Sequence, residues 1–272
     1  MRALITGISL LVLVFLAAPA LVVIPLSFSA SPYLIFPPPG YSTRWYEAVF
    51  ADEVWRSAAG VSLEVAMLSM GLAILLGTPA AWSLVRGHIP GRRLLSAYFY
   101  VPLLVPSIIL AVAMFIVFSK LGLIGSVSAL VAAHTALGAP FVVATVSASL
   151  QTLDPRIEQA ALSLGASWPA TFFRVILPNI WPGMLGGGLF AFITSFDEIV
   201  IALFIAGPRF TLPKKMFDNL RTEVDPSIAA VSTLLIALSA VVVLVVTLWL
   251  GRALAPVLGG LTDAAEGSTA EN

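Results

Sequence analysis

The sequence predicts an all-α membrane protein with six transmembrane helices, and three observations carry that prediction. Hydrophobic residues make up 59% of the chain and charged ones only 10%, against roughly 25% charged in soluble domains. Apolar runs long enough to cross about 30 Å of hydrocarbon as helices recur along the sequence, which disfavours a β-barrel of short alternating segments. Between the runs stand short stretches rich in Pro, Gly and charge, the punctuation that ends helices. Net charge is zero with no basic block, so nucleic acid is excluded as a natural partner. The chain has no Cys, which removes disulfides and thiolate metal sites from consideration.

The first helix is expected over about Ile5 to Phe28. Its apolar run, Leu4 to Leu26, is too long for a signal-peptide core and follows a single Arg2, so it reads as a retained span. A segment from Pro37-Pro38-Pro39 through Arg56 separates it from the second helix, about Val61 to Val85. The charged turn Arg86 to Arg93 leads to the third, about Leu95 to Phe118, and Lys120-Leu121-Gly122 turns into the fourth, about Ile124 to Leu150. The fifth is expected over about Met184 to Ile205. A polar loop with Lys214, Lys215 and Arg221 then precedes the sixth, about Ile228 to Leu254. Residues 1–261 thus read as one transmembrane domain. The small, acidic segment Thr262 to Asn272 reads as a disordered tail.

Between the fourth and fifth spans, residues Arg156 to Pro178 form a polar-punctuated island. Ile157 to Leu164 carries Ala and Leu at helical spacing, and Gly165 stands where a left-handed residue ends a helix. Ser167 can cap a second helix with Trp168 and Pro169 in its first turn, and Pro178 is expected to stop it. The expectation is helix, Gly elbow, helix.

These residues resemble a known family. Gln159-Ala160-Ala161, Gly165 and Leu177-Pro178 match the EAA loop of ABC-importer permeases. Further matches to the polyamine (spermidine/putrescine) type follow at Phe190-Ala191-Phe192, Ser195-Phe196-Asp197-Glu198, Ala206-Gly207-Pro208, Thr211-Leu212-Pro213, Asp225-Pro226-Ser227-Ile228 and Ser232-Thr233. Weaker matches lie upstream at Arg44-Trp45-Tyr46, Ser62-Leu63, His134 and Pro140-Phe141-Val142-Val143. The resemblance implies the type I permease fold of ABC importers, with residues 156–178 as a cytoplasmic coupling loop. Glu158, Gln159, Ala160, Ala161, Gly165, Leu177 and Pro178 would then meet ATPase subunits. The family usually has Glu where Gln159 stands. The adjacent Glu158 points about 100° away around a helix, and Gln keeps hydrogen bonding without the charge.

The residues themselves supply no catalytic set and no metal site. No Gly-rich loop ends in Gly-Lys-Ser/Thr, so ATP has no phosphate cradle here. HExxH and GxSxG are missing, and His88 and His134 are isolated in sequence. A membrane-embedded enzyme is therefore unsupported. The informative polar groups are Asp197 and Glu198, expected mid-span, where an Asp at the centre is charged roughly 2.5–3.5 kcal/mol on insertion scales. They are expected to face a bundle interior or aqueous path, only one of them fully towards any given cavity. With Ser195 and Phe196 they are the candidate lining of a path for a cationic substrate, against the blander reading of carboxylates that pack helices.

Trp45, with Tyr46, is either part of an interfacial aromatic belt or, as the resemblance implies, linked to substrate passage. Glu64 reads as an interface residue that reaches water. Gly186-Gly187-Gly188 suits either close helix contact or a flexible joint. Relatives often carry an acidic residue after a Pro near the start of the third span, whereas this chain has Pro106-Ser107. A path through Ser107 therefore lacks one carboxylate, which leaves an amino-acid-like, opine-like or monocationic amine substrate open beside a polyamine.

Lys and Arg are equally numerous on the two sides of this topology, so their bias does not orient the chain. Cytoplasmic termini follow from the resemblance, because a loop that docks ATPases faces ATP. The combined reading is a multi-pass permease subunit of a binding-protein-dependent importer in a bacterial inner membrane. It holds no cofactor of its own. Its implied partners are a second homologous permease, two ATP-binding cassette ATPases and an extracytoplasmic solute-binding protein. An ion-coupled secondary transporter is the distant rival, and it predicts internal repeats that the sequence does not display.

Overall fold

The computed structural model describes residues 2–222, 226–241 and 244. It falls into two units, residues 1–51 with 219–272, and residues 52–218. The expected tail Thr262–Asn272, and the second half of the expected sixth span, lie outside the described residues.

In the first unit, α1 (Arg2–Ser27) is a continuous helix despite Pro19 and Pro25. An isolated bridge joins Ser29 to Tyr41, and the short helix α2 (Arg44–Ala51) follows. Ser27 Oγ lies 2.6 Å from Tyr46 Oη, and the Trp45 indole donates to Ser29 O at 2.9 Å, so the start of α2 is tied to the end of α1. A further apolar helix, α12, covers Ser227–Val241.

The second unit is built on three long helices, α3 (Glu53–Arg86), α6 (Val127–Thr152) and α9 (Leu177–Phe196). Asp52 caps α3 by accepting from Val54 N–H at 2.7 Å, and Ser126 caps α6 by accepting from Ala129 N–H at 3.2 Å. With 34 residues, α3 is about 51 Å long at 1.5 Å per residue, so its polar ends project beyond a hydrocarbon core of about 30 Å. Helices α6 and α9 pack antiparallel on small residues. A Cβ on Gly138 would come within 2.7 Å of Ala191 Cβ, and one on Gly187 within 2.6 Å of Val142 Cα. A Cβ on Gly188 would come within 2.6 Å of Ile74 in α3. Close approach of this kind holds helices together where lipid offers no hydrophobic drive. Gly187 and Gly188 are therefore contact residues in the body of α9 rather than a joint that opens the span.

Among the described residues four helices are long and apolar enough to cross a bilayer: Ile5–Ser27, Glu53–Arg86, Val127–Thr152 and the continuous stretch Trp168–Phe196. Three expectations are corrected. The third span is not one helix over 95–118, because α4 (Arg92–Leu104) and α5 (Ser107–Lys120) meet at a bend of 101°. Pro106 is the cause, since it excludes the preceding Val105 from helical conformation and offers no N–H.

Pro178 does not end the coupling segment. α8 (Trp168–Thr171) passes through a π turn, Phe172–Ile176, into α9, and Pro178 falls in the first turn of α9. The wider turn lets Leu177 N–H reach Phe172 O, five residues back, and a Pro placed just after it interrupts no established ladder. Finally, the fifth span stops at Phe196. Asp197 to Ile199 are non-helical, and a short helix α10 (Val200–Ile205) resumes before α11 (Leu212–Thr222).

Candidate coupling loop and translocation path

The coupling loop is positioned from α6. That helix ends at Thr152, and Asp154 then caps α7 (Pro155–Ser163), accepting from Arg156 N–H at 2.9 Å. Gly165 has φ +87°, the left-handed elbow expected for it. Around it Ala166 N–H reaches Ala161 O at 3.1 Å and Gly165 N–H reaches Leu162 O at 3.0 Å. These two bonds satisfy carbonyls at the end of α7, the pattern of a Schellman cap. Ser167 caps the next helix, accepting from Ala170 N–H at 3.4 Å.

Two anchors fix this loop to the end of α3, and sequence reasoning found neither. Arg86 Nη2 lies 3.0 Å from Glu158 Oε1 and donates to Leu153 O at 2.7 Å. Trp82 meets Trp168 and Phe172 edge to face, with ring centroids 5.6 and 6.0 Å apart. The available signal was positional: Arg86 terminates an apolar run and stands one helical turn after Trp82.

The result separates two neighbouring loop residues. Glu158 is turned inward to Arg86, whereas Gln159 and Ala160 are exposed. Leu164 is 89% exposed beside the elbow. The face left for a partner therefore carries Gln159 and Leu164, while Glu158 holds the loop in place. Leu177 is half-buried and Pro178 exposed where the loop runs into α9.

The candidate path residues cluster at the break between α9 and α10. Ser195 is buried, and its Oγ lies 2.8 Å from His134 Nδ1 in α6. His134 Nε2 is buried without a partner among the described residues. Phe196 stacks on Phe192 with centroids 5.7 Å apart. Among the described residues Asp197 accepts nothing through its side chain, which is exposed, while its N–H reaches Ile193 O at 3.1 Å. Glu198 is half-buried and accepts from Ile201 N–H at 3.1 Å, which caps α10.

The expectation of two carboxylates on a continuous helix, 100° apart, is thus corrected: a broken helix frees both side chains from helical spacing. Both acids follow the end of the candidate span Trp168–Phe196 rather than lying within a longer one.

Helices α5 and α10 pack together, with Phe115 meeting Phe204 at 6.3 Å and the turn after α5 reaching Ile205 O through Gly125 N–H at 2.8 Å. Ser107, first in α5, is half-buried. Trp45 belongs to the first unit, where its indole bonds Ser29 O and Arg44 lies 4.6 Å from its ring centroid. Glu64 is exposed.

Beyond α10 the polar loop is closely tied. Gly207 has φ +55° and packs on Gly125, Arg209 donates to Gly125 O at 2.8 Å, and Leu212 N–H donates to Ser62 Oγ at 2.8 Å. Lys214 Nζ donates to Gly207 O and Arg209 O at 2.6 and 2.9 Å. Burial pushes the Lys214 pKa below the ordinary lysine value, and Asp218 opposes that shift.

A bundle with close small-residue helix contacts, an externally presented elbow at one end and acids at a helix break is the architecture of a transport permease. The chain belongs to the family of binding-protein-dependent transport system inner membrane components, whose pattern matches residues 69–259. It is 37% identical over 237 residues, 84% of each chain, to the putrescine transport system permease protein PotI of Escherichia coli strain K12. It is 32% identical over 231 residues, 85% of this chain and 87% of the relative, to the spermidine/putrescine transport system permease protein PotC of the same strain. Among solved structures it resembles a bacterial ABC transporter involved in import of the acidic polysaccharide alginate. That match has a TM-score of 0.67 and 14% identity over 91% of this chain and 94% of the other, a likeness of fold.

Proposed function

We propose that this chain forms half of the translocation path of a binding-protein-dependent ABC importer for a small cationic amine of the putrescine or spermidine kind. Its partners are a second homologous permease, two ATPase subunits and an extracytoplasmic solute-binding protein. ATP is bound and hydrolysed by the ATPases alone. The chain crosses a bacterial cytoplasmic membrane six times with both termini inside. In that count α4 and α5 make one broken span, and the segment that starts with α12 makes the last.

The observation that carries the coupling role is the fixed elbow. α7, Gly165 and α8 are stapled to α3 through Arg86 and Trp82 and continue without interruption into α9. A push on Gln159 or Leu164 is therefore delivered to the helix that ends at Asp197. ATP binding closes the ATPases and switches the bundle between inward and outward access, a rigid-body alternation.

The acids at the break favour a positively charged substrate, as does similarity to two permeases named for polyamine transport. Ser107, at a position where relatives often carry an acid, keeps a monocationic amine or amino-acid-like substrate as the second reading. Proteoliposomes holding the full assembly are expected to accumulate putrescine or spermidine only with ATP inside. ATP hydrolysis by this chain alone, or uptake without ATPases, overturns the proposal. Uptake of amino acids but not of amines replaces the substrate class.

A further inference from the structure

We propose that the pocket enclosed by α3, α4 and α6 at the coupling-loop end binds the phosphate headgroup of an anionic phospholipid. The cavity, about 290 Å³, is lined by Arg92, Arg93, Ser96 and Tyr100 of α4 and by Ser147 and Gln151 of α6. Residues 93, 96 and 100 share one face of α4, and 147 and 151 share one face of α6, so the polar lining repeats at helical spacing on both walls.

None of Arg93, Ser96, Tyr100, Ser147 and Gln151 has a side-chain hydrogen-bond partner among the described residues. Arg92 has a single contact, to Val85 O at 3.4 Å. Glu158, the carboxylate that reaches Arg86 beside the pocket, is already paired. Two guanidiniums, three hydroxyls and an amide all offer donors, and no lining residue is acidic. That complement fits an oxyanion with several acceptors, and Arg matches phosphate geometry through paired donors.

The surroundings favour a lipid as the source of the phosphate. α4 buries none of its residues within this chain, and Leu94, Tyr98 and Leu104 are exposed along it. An apolar, unburied helix that begins with two arginines is suited to the headgroup boundary, where basic residues attract anionic lipid. The pocket abuts the coupling segment, since Arg86 bridges α3 to Leu153 and Glu158 next to it. A lipid in this cavity would brace α4 against the two helices that carry the loop. The leaflet, cytoplasmic, rests on the permease reading above, whereas the site itself does not.

The test uses the complete importer assembly in nanodiscs of mixed phosphatidylcholine and phosphatidylglycerol, with the lipid retained after detergent exchange quantified by mass spectrometry. Wild-type assembly is expected to retain phosphatidylglycerol selectively, and Arg92→Gln with Arg93→Gln to lower that enrichment about tenfold or more. Tyr100→Phe keeps the packing and is expected to lower it less, which covers the case where the double variant does not assemble. Equal enrichment in wild type and Tyr100→Phe, together with any assembled double variant, overturns the proposal. If inorganic phosphate displaces the lipid completely at millimolar concentration, the site takes free phosphate and the lipid assignment fails. Enrichment without ATP-driven uptake removes the permease reading and leaves the site, while uptake without enrichment removes the site alone.

Discussion

Two polar interruptions of apolar helix sit in the second unit, and they are built in opposite ways. Around Gly165 nearly every loose group is closed: a double backbone cap, capping side chains at Asp154 and Ser167, and the pair Arg86 with Glu158. Around Asp197 one group is left open. Ser195 is held by His134 and Glu198 caps α10, yet the Asp197 carboxylate has no partner among the described residues and is exposed. A segment that transmits force needs a single geometry. A segment that meets a passing cation needs a charge that is not already neutralised. On the proposed function the contrast is one between a rigid lever and a polar contact point, and each substitution below tests one side of it.

The largest effect is expected at the elbow. Gly165 has φ +87°, and a Cβ there would meet nothing within 4 Å, so any penalty on Gly165→Val is conformational rather than steric crowding. A β-branched residue in the left-handed region carries about 1–3 kcal/mol of strain. Relaxing it would reorient α7 against α8. Uptake per assembled complex is expected to fall about tenfold or more, by the equivalence of 1.4 kcal/mol to a factor of ten, with membrane insertion intact. Gly165→Asn, which tolerates this conformation, is expected to retain most uptake. Normal normalised uptake by Gly165→Val would remove the lever from the mechanism.

Next in size is Arg86→Ala. The pair side chains are 18% and 13% exposed, so removal of the guanidinium leaves Glu158 and Leu153 O poorly satisfied at about 1–2 kcal/mol, discounted for the remaining solvent access. Thermal unfolding of the assembly is expected at lower temperature, and Glu158→Gln combined with Arg86→Ala is expected to cost less than the two changes summed. Strict additivity would mean that the contact holds nothing.

The elbow was legible in the sequence because its signals are local: a helical Ala/Leu pattern, Gly at the turn and Ser before a Trp-Pro pair. The anchors were not, because Arg86 and Glu158 are far apart in sequence and nothing in the spacing of either announces the other. The breaks at Pro106 and Asp197 were missed for a related reason. Hydropathy over a window sees continuous apolar character through residues 95–118 and 184–205, and it does not register that a Pro or a capping Glu divides the backbone. His134 looked isolated for the same cause, since Ser195 reaches it only through the antiparallel fit of α6 and α9 on Gly138 and Gly187.

On the open side of the comparison, Asp197→Asn is expected to leave assembly and thermal stability unchanged, because the side chain is exposed and bonds nothing among the described residues. A unit charge lost at about 4 Å from a cation in water-like surroundings is worth ~1 kcal/mol, and uptake of a cationic amine is expected to fall about fivefold. Uptake normalised to assembled complex, measured beside a neutral competitor, reads this directly. Unchanged amine uptake would make Asp197 a bystander and shift the substrate towards a neutral or zwitterionic molecule.

The smallest effect is expected at Glu198, and it sharpens the distinction most. This side chain has two separable properties, a charge and an oxygen that accepts Ile201 N–H at 3.1 Å. Glu198→Gln keeps the oxygen, so stability is expected within about 0.5 kcal/mol of wild type, with at most a small loss of amine uptake if Asp197 supplies most of the path's charge. Glu198→Ala removes the oxygen and leaves the start of α10 uncapped, a loss of about 1 kcal/mol typical of an N-terminal cap. Thermal stability measured on both variants orders the two properties. If Gln and Ala destabilise equally, the residue acts through its charge rather than as a cap. If the Gln variant loses more amine uptake than Asp197→Asn, Glu198 and not Asp197 is the open group of the break, and the two carboxylates exchange the parts assigned to them.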